Sequence, residues 1–171
     1  MRRVRYSVAM SLDGFIAGPR GEIDWIVMDP EIDFNALFRQ FDTVLLGRKT
    51  YEMTHQQGAG AGMPGMETYV FSRTLHQNDC PDVIVSKDPA TTLPALKNGQ
   101  GKDLWLFGGG SLFRSLLELK LVDTVEVAII PVLLGAGLPL LPPPAQQAKL
   151  RLTKHRVYAQ TGTTTLEYAV V

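Results

Sequence analysis

Leu104-Trp105-Leu106-Phe107-Gly108-Gly109-Gly110-Ser111-Leu112-Phe113 carries an apolar, β-prone run into three consecutive glycines and then into an amphipathic helical pattern. Three glycines remove every Cβ from the bend, so a ligand can approach the main chain closely and positive φ is open. The first N–H groups of the following helix have no intrahelical partners and point outward. A strand end, a bare bend and a helix start together make a seat for an anion, typically a phosphate or pyrophosphate.

A second joint of the same kind lies upstream, at Asp42-Thr43-Val44-Leu45-Leu46-Gly47-Arg48-Lys49-Thr50-Tyr51-Glu52. Here two fixed cations and a hydroxyl follow the glycine. Tyr69-Val70-Phe71-Ser72-Arg73-Thr74 is a third piece, a strand whose end carries a hydroxyl and a guanidinium. The planar fork of Arg donates two parallel hydrogen bonds to a phosphate. Ligands of α/β sheets bind at the carboxyl ends of strands. Three such ends, two cationic and one glycine-rich, suit a dinucleotide with an extra ribose phosphate. Two familiar phosphate motifs are excluded. G-x-G-x-x-G requires glycine where Phe113 stands, and the Walker pattern requires glycine at Asp42 and lysine at Arg48.

Length and composition bound the rest. The 171 residues suit one domain, 1–171, with a sizeable core. Formal net charge is zero, so no global basic field recruits nucleic acid. Cys80 is the single cysteine, which forbids an internal disulfide and points to a reducing cytoplasm. The basic start Arg2-Arg3-Val4-Arg5 imitates a signal peptide, but Asp13 and Gly14 break the apolar stretch behind it. No apolar run approaches the ~20 residues that span a bilayer. His55, His76 and His155 fall in no ligand cluster, so no metal site is expected.

Val4, Tyr6, Val8 and Met10 alternate with Arg5, Ser7 and Ala9, the period of a half-buried strand. Ser11-Leu12-Asp13-Gly14 breaks it before Phe15-Ile16-Ala17. Phe34, Leu37, Phe38 and Phe41 recur at helical spacing behind Asp33, a plausible N-cap. Strands are expected at 43–46, 68–72, 82–86 and 103–107, and helices over 92–97 and from Leu112 to about Lys120. The stretch 58–65 reads as a flexible glycine loop. A long strand is expected over 125–134, with Pro131 forcing a bulge or an edge position. Two closing strands, near 150–159 and 163–171, flank Gly162 as an antiparallel hairpin. Strands mixed with helices, followed by a hairpin, make an α/β sandwich with a mostly parallel sheet.

The chain resembles the dihydrofolate reductase-like superfamily, and within it the RibD C-terminal-domain branch, whose namesake is the pyrimidine reductase of riboflavin synthesis. The matching motifs are Met10-Ser11-Leu12-Asp13-Gly14-Phe15-Ile16-Ala17, Leu46-Gly47-Arg48-Lys49-Thr50-Tyr51-Glu52, Val70-Phe71-Ser72-Arg73-Thr74-Leu75 and Phe107-Gly108-Gly109-Gly110-Ser111-Leu112. Leu121-Val122-Asp123 and Pro131-Val132-Leu133-Leu134-Gly135 extend the match over nearly the whole chain. The resemblance implies a three-layer dihydrofolate reductase-like sandwich, NADPH as cofactor, a small heterocyclic substrate and a homodimer. It implies that the Ala9 backbone, Ile16 and Ala17 border the nicotinamide, and that Gly47, Arg48, Lys49 and Thr50 meet phosphates. Ser72 and Arg73 would face the 2′-phosphate, and Gly108, Gly109, Gly110, Ser111 and Leu112 the pyrophosphate. On the substrate side it implies Met10, Asp13 and Trp25, with Asp33 near the place of the acidic catalytic residue; an N-cap role for Asp33 and an Asx-turn for Asp13 are the alternatives. Asp24 and Glu126 are further carboxylates without a decisive case. A nucleotide-binding protein without turnover, or a dimeric module whose glycines serve only as turns, are the competing readings. The run Ala128-Ile129-Ile130 is a candidate subunit contact.

Overall fold

The computed structural model describes residues 1–56 and 64–171; most of the expected glycine loop lies outside them. The chain runs β1 (Val4–Ser11), β2 (Phe15–Ala17), α1 (Phe34–Phe38), β3 (Phe41–Gly47), α2 (Arg48–Gln56), β4 (Glu67–Phe71), β5 (Ile84–Ser86), α3 (Pro89–Asn98), β6 (Asp103–Gly108), α4 (Gly110–Glu118), β7 (Thr124–Ile130), β8 (Leu138–Pro139), β9 (Leu150–Val157) and β10 (Thr164–Val170). Eight strands form one sheet in the order β5-β4-β3-β6-β1-β7-β10-β9, and β2 pairs with β8 in a small second sheet. The first six strands in that order are mutually parallel, and β10 runs antiparallel to both β7 and β9. This is the expected three-layer α/β sandwich with a terminal antiparallel pair. Its consequence for function is direct: six strands end on one rim.

Helices cover both faces because parallel connections need crossovers. One core layer joins Val4, Tyr6, Leu45, Leu104 and Leu106 to Leu93 of α3 and to Leu112, Phe113 and Leu116 of α4. The other joins Val44, Leu46, Val70 and Trp105 to Tyr51 of α2, with Phe38 of α1 stacked on Trp105 at 5.3 Å. β1 is therefore covered on both faces, and the alternation expected there hides a buried charge. Arg5 grips Glu126 of β7 through Nε–Oε1 at 2.6 Å and Nη2–Oε2 at 2.8 Å, both side chains being buried. Thr124 donates to the same carboxylate at 2.9 Å, and Gln40 accepts from Arg5 at 2.7 Å. The basic start is thus ion-paired along the amino ends of the strands: Arg2 with Asp42, Arg3 with Asp103, Arg5 with Glu126.

Several boundaries differ from expectation. α1 ends at Phe38, and Phe41 opens β3, where it packs beside Trp105 at 5.6 Å. α3 starts earlier, because Asp88 caps it through Ala90 N and Pro89 fits its first turn. β7 stops at Ile130, before Pro131, and lies between β1 and β10 inside the sheet. Proline thus ends the strand instead of bulging it or marking an edge. Ala128-Ile129-Ile130 therefore lies inside the sheet, with Ile130 buried and Ala128 and Ile129 half-buried. The exposed outermost strand is β9, all eight residues of which are open to solvent.

Removing one member of the Arg5–Glu126 pair leaves an uncompensated buried charge, which costs about 3–5 kcal/mol. Glu126→Gln should lower stability by roughly the smaller of these figures, since Asp103 lies 3.5 Å from Arg5 and offsets part of the loss. The double variant Arg5→Met/Glu126→Leu should lose less than either single variant. Urea denaturation of all four proteins checks this order.

Candidate functional site

The rim joins the three joints read from the sequence. β4, β3 and β6 are neighbours, with Gly47 paired to Phe71 and Leu46 to Gly108. Their ends converge, so that a side chain at Gly47 would touch the start of α4 and one at Gly109 would press on α2. A Cβ on Gly47 would lie 3.5 Å from Leu112 Cβ and 3.7 Å from Gly109 N, and one on Gly109 would lie 3.2 Å from Thr50 Oγ1. Gly108 has φ of 151°, which L side chains rarely adopt, and the Gly108–Gly109 peptide is cis. Thr50 on α2 and the start of α4 border the glycine backbone at the strand ends, where a change of direction in the strand order leaves a crevice. Ser111 at the mouth is exposed and Leu112 is buried.

The cations stand beside this cleft. Arg48, Lys49 and Arg73 are all exposed. Arg48 donates to Thr74 Oγ1 at 3.0 Å and lies 3.6 Å from Glu52. Among the described residues Lys49 and Arg73 form no ion pair. Ser72 Oγ accepts from Thr74 N and Leu75 N at 3.2 and 3.1 Å, which fixes the turn that presents Arg73. Behind the cleft, Tyr51 anchors α2: its hydroxyl is pushed up to about 12 by a hydrogen bond to buried Cys80 and by its own burial.

Gly110 has a different duty. A Cβ there would meet Pro139 O at 2.8 Å and Pro142 Cδ at 2.9 Å, so the third glycine lets the strap 139–142 cross the start of α4. That strap continues from β8, whose partner β2 carries half-buried Ile16 and buried Ala17. Asp13 locks the assembly. It accepts from Ser11 Oγ at 2.7 Å, Gly135 N at 2.7 Å and Leu134 N at 3.1 Å. The Ser11 hydroxyl, then the Gly135 and Leu134 N–H groups, hold its carboxyl below the ordinary carboxylate range.

The substrate-side residues fare differently. Asp13 lies at the rim, and its oxygens accept from the loop 131–137, which gives it a clamping role. Met10 packs onto the core beneath α4, the face opposite to Ala9. Asp33 is exposed and caps α1 through Ala36 N at 2.8 Å. The half-buried Trp25 donates to Glu22 O at 3.0 Å, which sets its loop. One rim carboxylate escaped the reading of the sequence: Asp29 is 1% exposed and accepts from Thr161 Oγ1 at 2.7 Å and Glu31 N at 2.9 Å. It ties loop 18–33 to the β9–β10 turn. No periodic or motif signal surrounds it; Asp29-Pro30 marks only a turn. Among the described residues no group of histidine, cysteine or carboxylates could hold a metal, and no helix is long and apolar enough to cross a membrane.

The comparisons with known proteins agree with this architecture. The family model described as RibD C-terminal domain matches residues 2–163. A Bacillus subtilis (strain 168) protein, the uncharacterized protein YyaP, is 36% identical over 169 residues, covering 92% of this chain and 90% of that one. A crystal structure from Shewanella sp. PV-4, named for riboflavin biosynthesis, is 26% identical with a TM-score of 0.80, covering 100% of this chain and 99% of that one. Dihydrofolate reductase from Enterococcus faecalis, complexed with NADP(H), superposes with a TM-score of 0.70 at 17% identity over 98% of this chain and 96% of that one.

Asp13 should tie the β2–β8 flap to the end of β1. Because its carboxyl is held below the usual range, the clamp is complete above the ordinary carboxylate pKa of about 4 and is lost as pH falls through the lowered value. Hydrogen exchange at Leu134 and Gly135 should be faster in Asp13→Ala at neutral pH, and should approach the variant's rate in the wild type only under acid. Unchanged protection in Asp13→Ala would deny the clamp.

Proposed function

The chain belongs to the RibD C-terminal domain family, and from that premise we propose that it is an NADPH-dependent reductase of a small heterocyclic metabolite. The observation that carries the reading is the convergence of Gly47, Thr50 and Gly109 at the strand ends, beside Lys49 and Arg73, which form no ion pair among the described residues. Family and structural neighbours are reductases of the dihydrofolate reductase kind, and the Enterococcus example binds NADP(H).

The residues fit such a group. The N–H groups at the start of α4 would hold pyrophosphate oxygens, helped by the positive end of the helix dipole. Gly47, Gly108 and Gly109 would let the backbone approach closely. Thr50 would offer a hydroxyl and Arg48 and Lys49 charge to the phosphates. Arg73, presented by the Ser72 turn, would pair with a 2′-phosphate. When bound, NADPH supplies the hydride. The chain's own work is to orient the two reactants and exclude water, which converts an encounter into a near-unimolecular step. Ala9 at the end of β1 and the β2–β8 flap over α4 are placed to do this. With Asp13 and Asp33 engaged in a clamp and a cap, a bound water is the proton carrier we assign to the rim. The same engagement favours one second reading, a protein that binds NADPH without turnover; NADPH oxidation across pteridines and aminopyrimidines separates the two.

Fluorescence titration should show micromolar or tighter NADPH binding, with NADH weaker. Arg73→Ala should weaken NADPH by about 1–3 kcal/mol, a lost charged hydrogen bond, while leaving NADH unchanged. Equal losses for both nucleotides would detach Arg73 from the 2′-phosphate, and no binding of either would remove the reading altogether. Gly109→Val should abolish nucleotide binding at retained fold, because its side chain would fill the cleft beside Thr50.

A further inference from the structure

Fixed charge is divided along the rim. On the β4–β3 side stand Arg48, Lys49 and Arg73. On the other side, around the ends of β1, β7 and β9, the rim is built from residues 11–33, 131–141 and 156–163. Those segments carry six carboxylates: Asp13, Glu22, Asp24, Asp29, Glu31 and Asp33. They carry two cations, and both are already held. Arg20 binds Glu22 at 2.7 Å, and Arg156 binds Glu31 at 2.7 Å while lying 4.5 Å over the Tyr158 ring. Arg39 and Lys102 lie at the far end of the sheet, sharing a cavity with Phe41 and Met66 at the amino ends of strands. Arg2, Arg3 and Arg5 are paired at that end too.

These segments are joined into one surface. Asp13 holds Leu134 and Gly135, Asp29 holds Thr161, and a Cβ on Gly162 would touch Pro131 Cγ at 3.3 Å. The surface also exposes apolar side chains: Leu12, Ile23, Met28 and Leu133 are each more than half open to solvent. A phosphorylated ligand needs fixed donors, normally arginine or lysine or a free helix start. This half of the rim has no unpaired cation among the described residues.

We propose that the substrate of this reductase carries no phosphate: it is a neutral or cationic planar heterocycle, admitted over the acidic and apolar half of the rim. The proposal rests on the NADPH reading above, which assigns the cationic half to the cofactor. The carboxylates are not offered as ligands. They set a negative potential that a dianionic phosphate would meet at roughly 10 Å, within about one Debye length. A net excess of four carboxylates at that separation disfavours a dianionic phosphate by about eightfold near 0.1 M salt and by more at lower salt, before counting the donors it would lack.

The test uses the NADPH-loaded protein, loading being verified first by fluorescence. Calorimetric titration compares 6-(ribosylamino)uracil with its 5′-phosphate. The riboside should bind at least about eightfold tighter at low salt, and the gap should narrow at about 1 M salt, where the screening length falls to about 3 Å. Glu31→Gln frees Arg156, which the Tyr158 ring keeps in place. That variant should gain affinity for the phosphate severalfold, with riboside and NADPH affinities unchanged. A phosphate form that binds the wild type as tightly as the riboside, or tighter, overturns the proposal. So does a loaded protein that takes up neither compound. Failure of NADPH to bind at all would instead sink the cofactor reading beneath it.

Discussion

Backbone contact where β3 and β6 end is the constraint on which the site depends. Two parallel strands must each turn into a helix on opposite faces of the sheet, and both turns occupy the same few ångströms. Glycine eases this at Gly108, whose φ of 151° L side chains rarely adopt, and at Gly109, where a Cβ would press on Thr50 Oγ1 at 3.2 Å. The cleft is thus a product of topology. A sheet that adds β4 on one side of β3 and, through β6, β1 and β7 on the other puts a change of direction between β3 and β6, and such a switch point leaves a crevice outside the carboxyl ends.

Around that crevice the chain segregates its charges. At the amino ends of the strands, arginines find carboxylates within the sheet itself, the Arg5–Glu126 pair being the deepest. On the carboxyl rim the β4–β3 side keeps Lys49 and Arg73 without ion-pair partners among the described residues, while the β1–β7–β9 side holds its two arginines in pairs. Surface pairs of that kind contribute little to stability. Their effect is on potential: they remove the positive sites that would otherwise draw anions to the wrong half. Cations of like sign repel one another, and a multiply charged ligand of the kind proposed would compensate their grouping beside the start of a helix.

Much of this was legible in the residues. Gly47, Gly109 and the cations beside them announced the rim because each joint ends a β-prone run, helical periodicity resumes at once, and the joints combine at strand ends, although a glycine there alone often serves only as a turn. A mostly parallel sheet and a closing hairpin followed from runs bounded by turn residues. What escaped depended on contacts between distant segments. Gly110 stands in the same triplet as Gly109, yet it is small for the sake of Pro139 and Pro142, which no local pattern discloses. Phe41 satisfies the helical spacing of Phe34 and Phe38, but it stacks on Trp105 from a strand, since tertiary packing overrides local preference. Arg5 falls on the polar phase of an alternating strand, and only the register with β7 shows it buried against Glu126. The two-residue strand β8 carries no periodicity to read.

The carboxylates carry the sharpest contrast between motif and geometry. Asp13 belongs to the Ser-Leu-Asp-Gly turn and Asp33 precedes an amphipathic helix, and each position invites a chemical role. Both side chains accept backbone N–H groups instead, and Asp13 takes a serine hydroxyl as well. The Asp13 carboxylate, so engaged, is stabilised as the anion, which makes it a poor proton donor near neutral pH. Under the proposed reading, proton delivery at such a rim would fall to water, whose access the segments fastened by Asp13 would govern. Asp13 would thus serve the reaction through the fold, by deciding how open the crevice is when the two reactants meet.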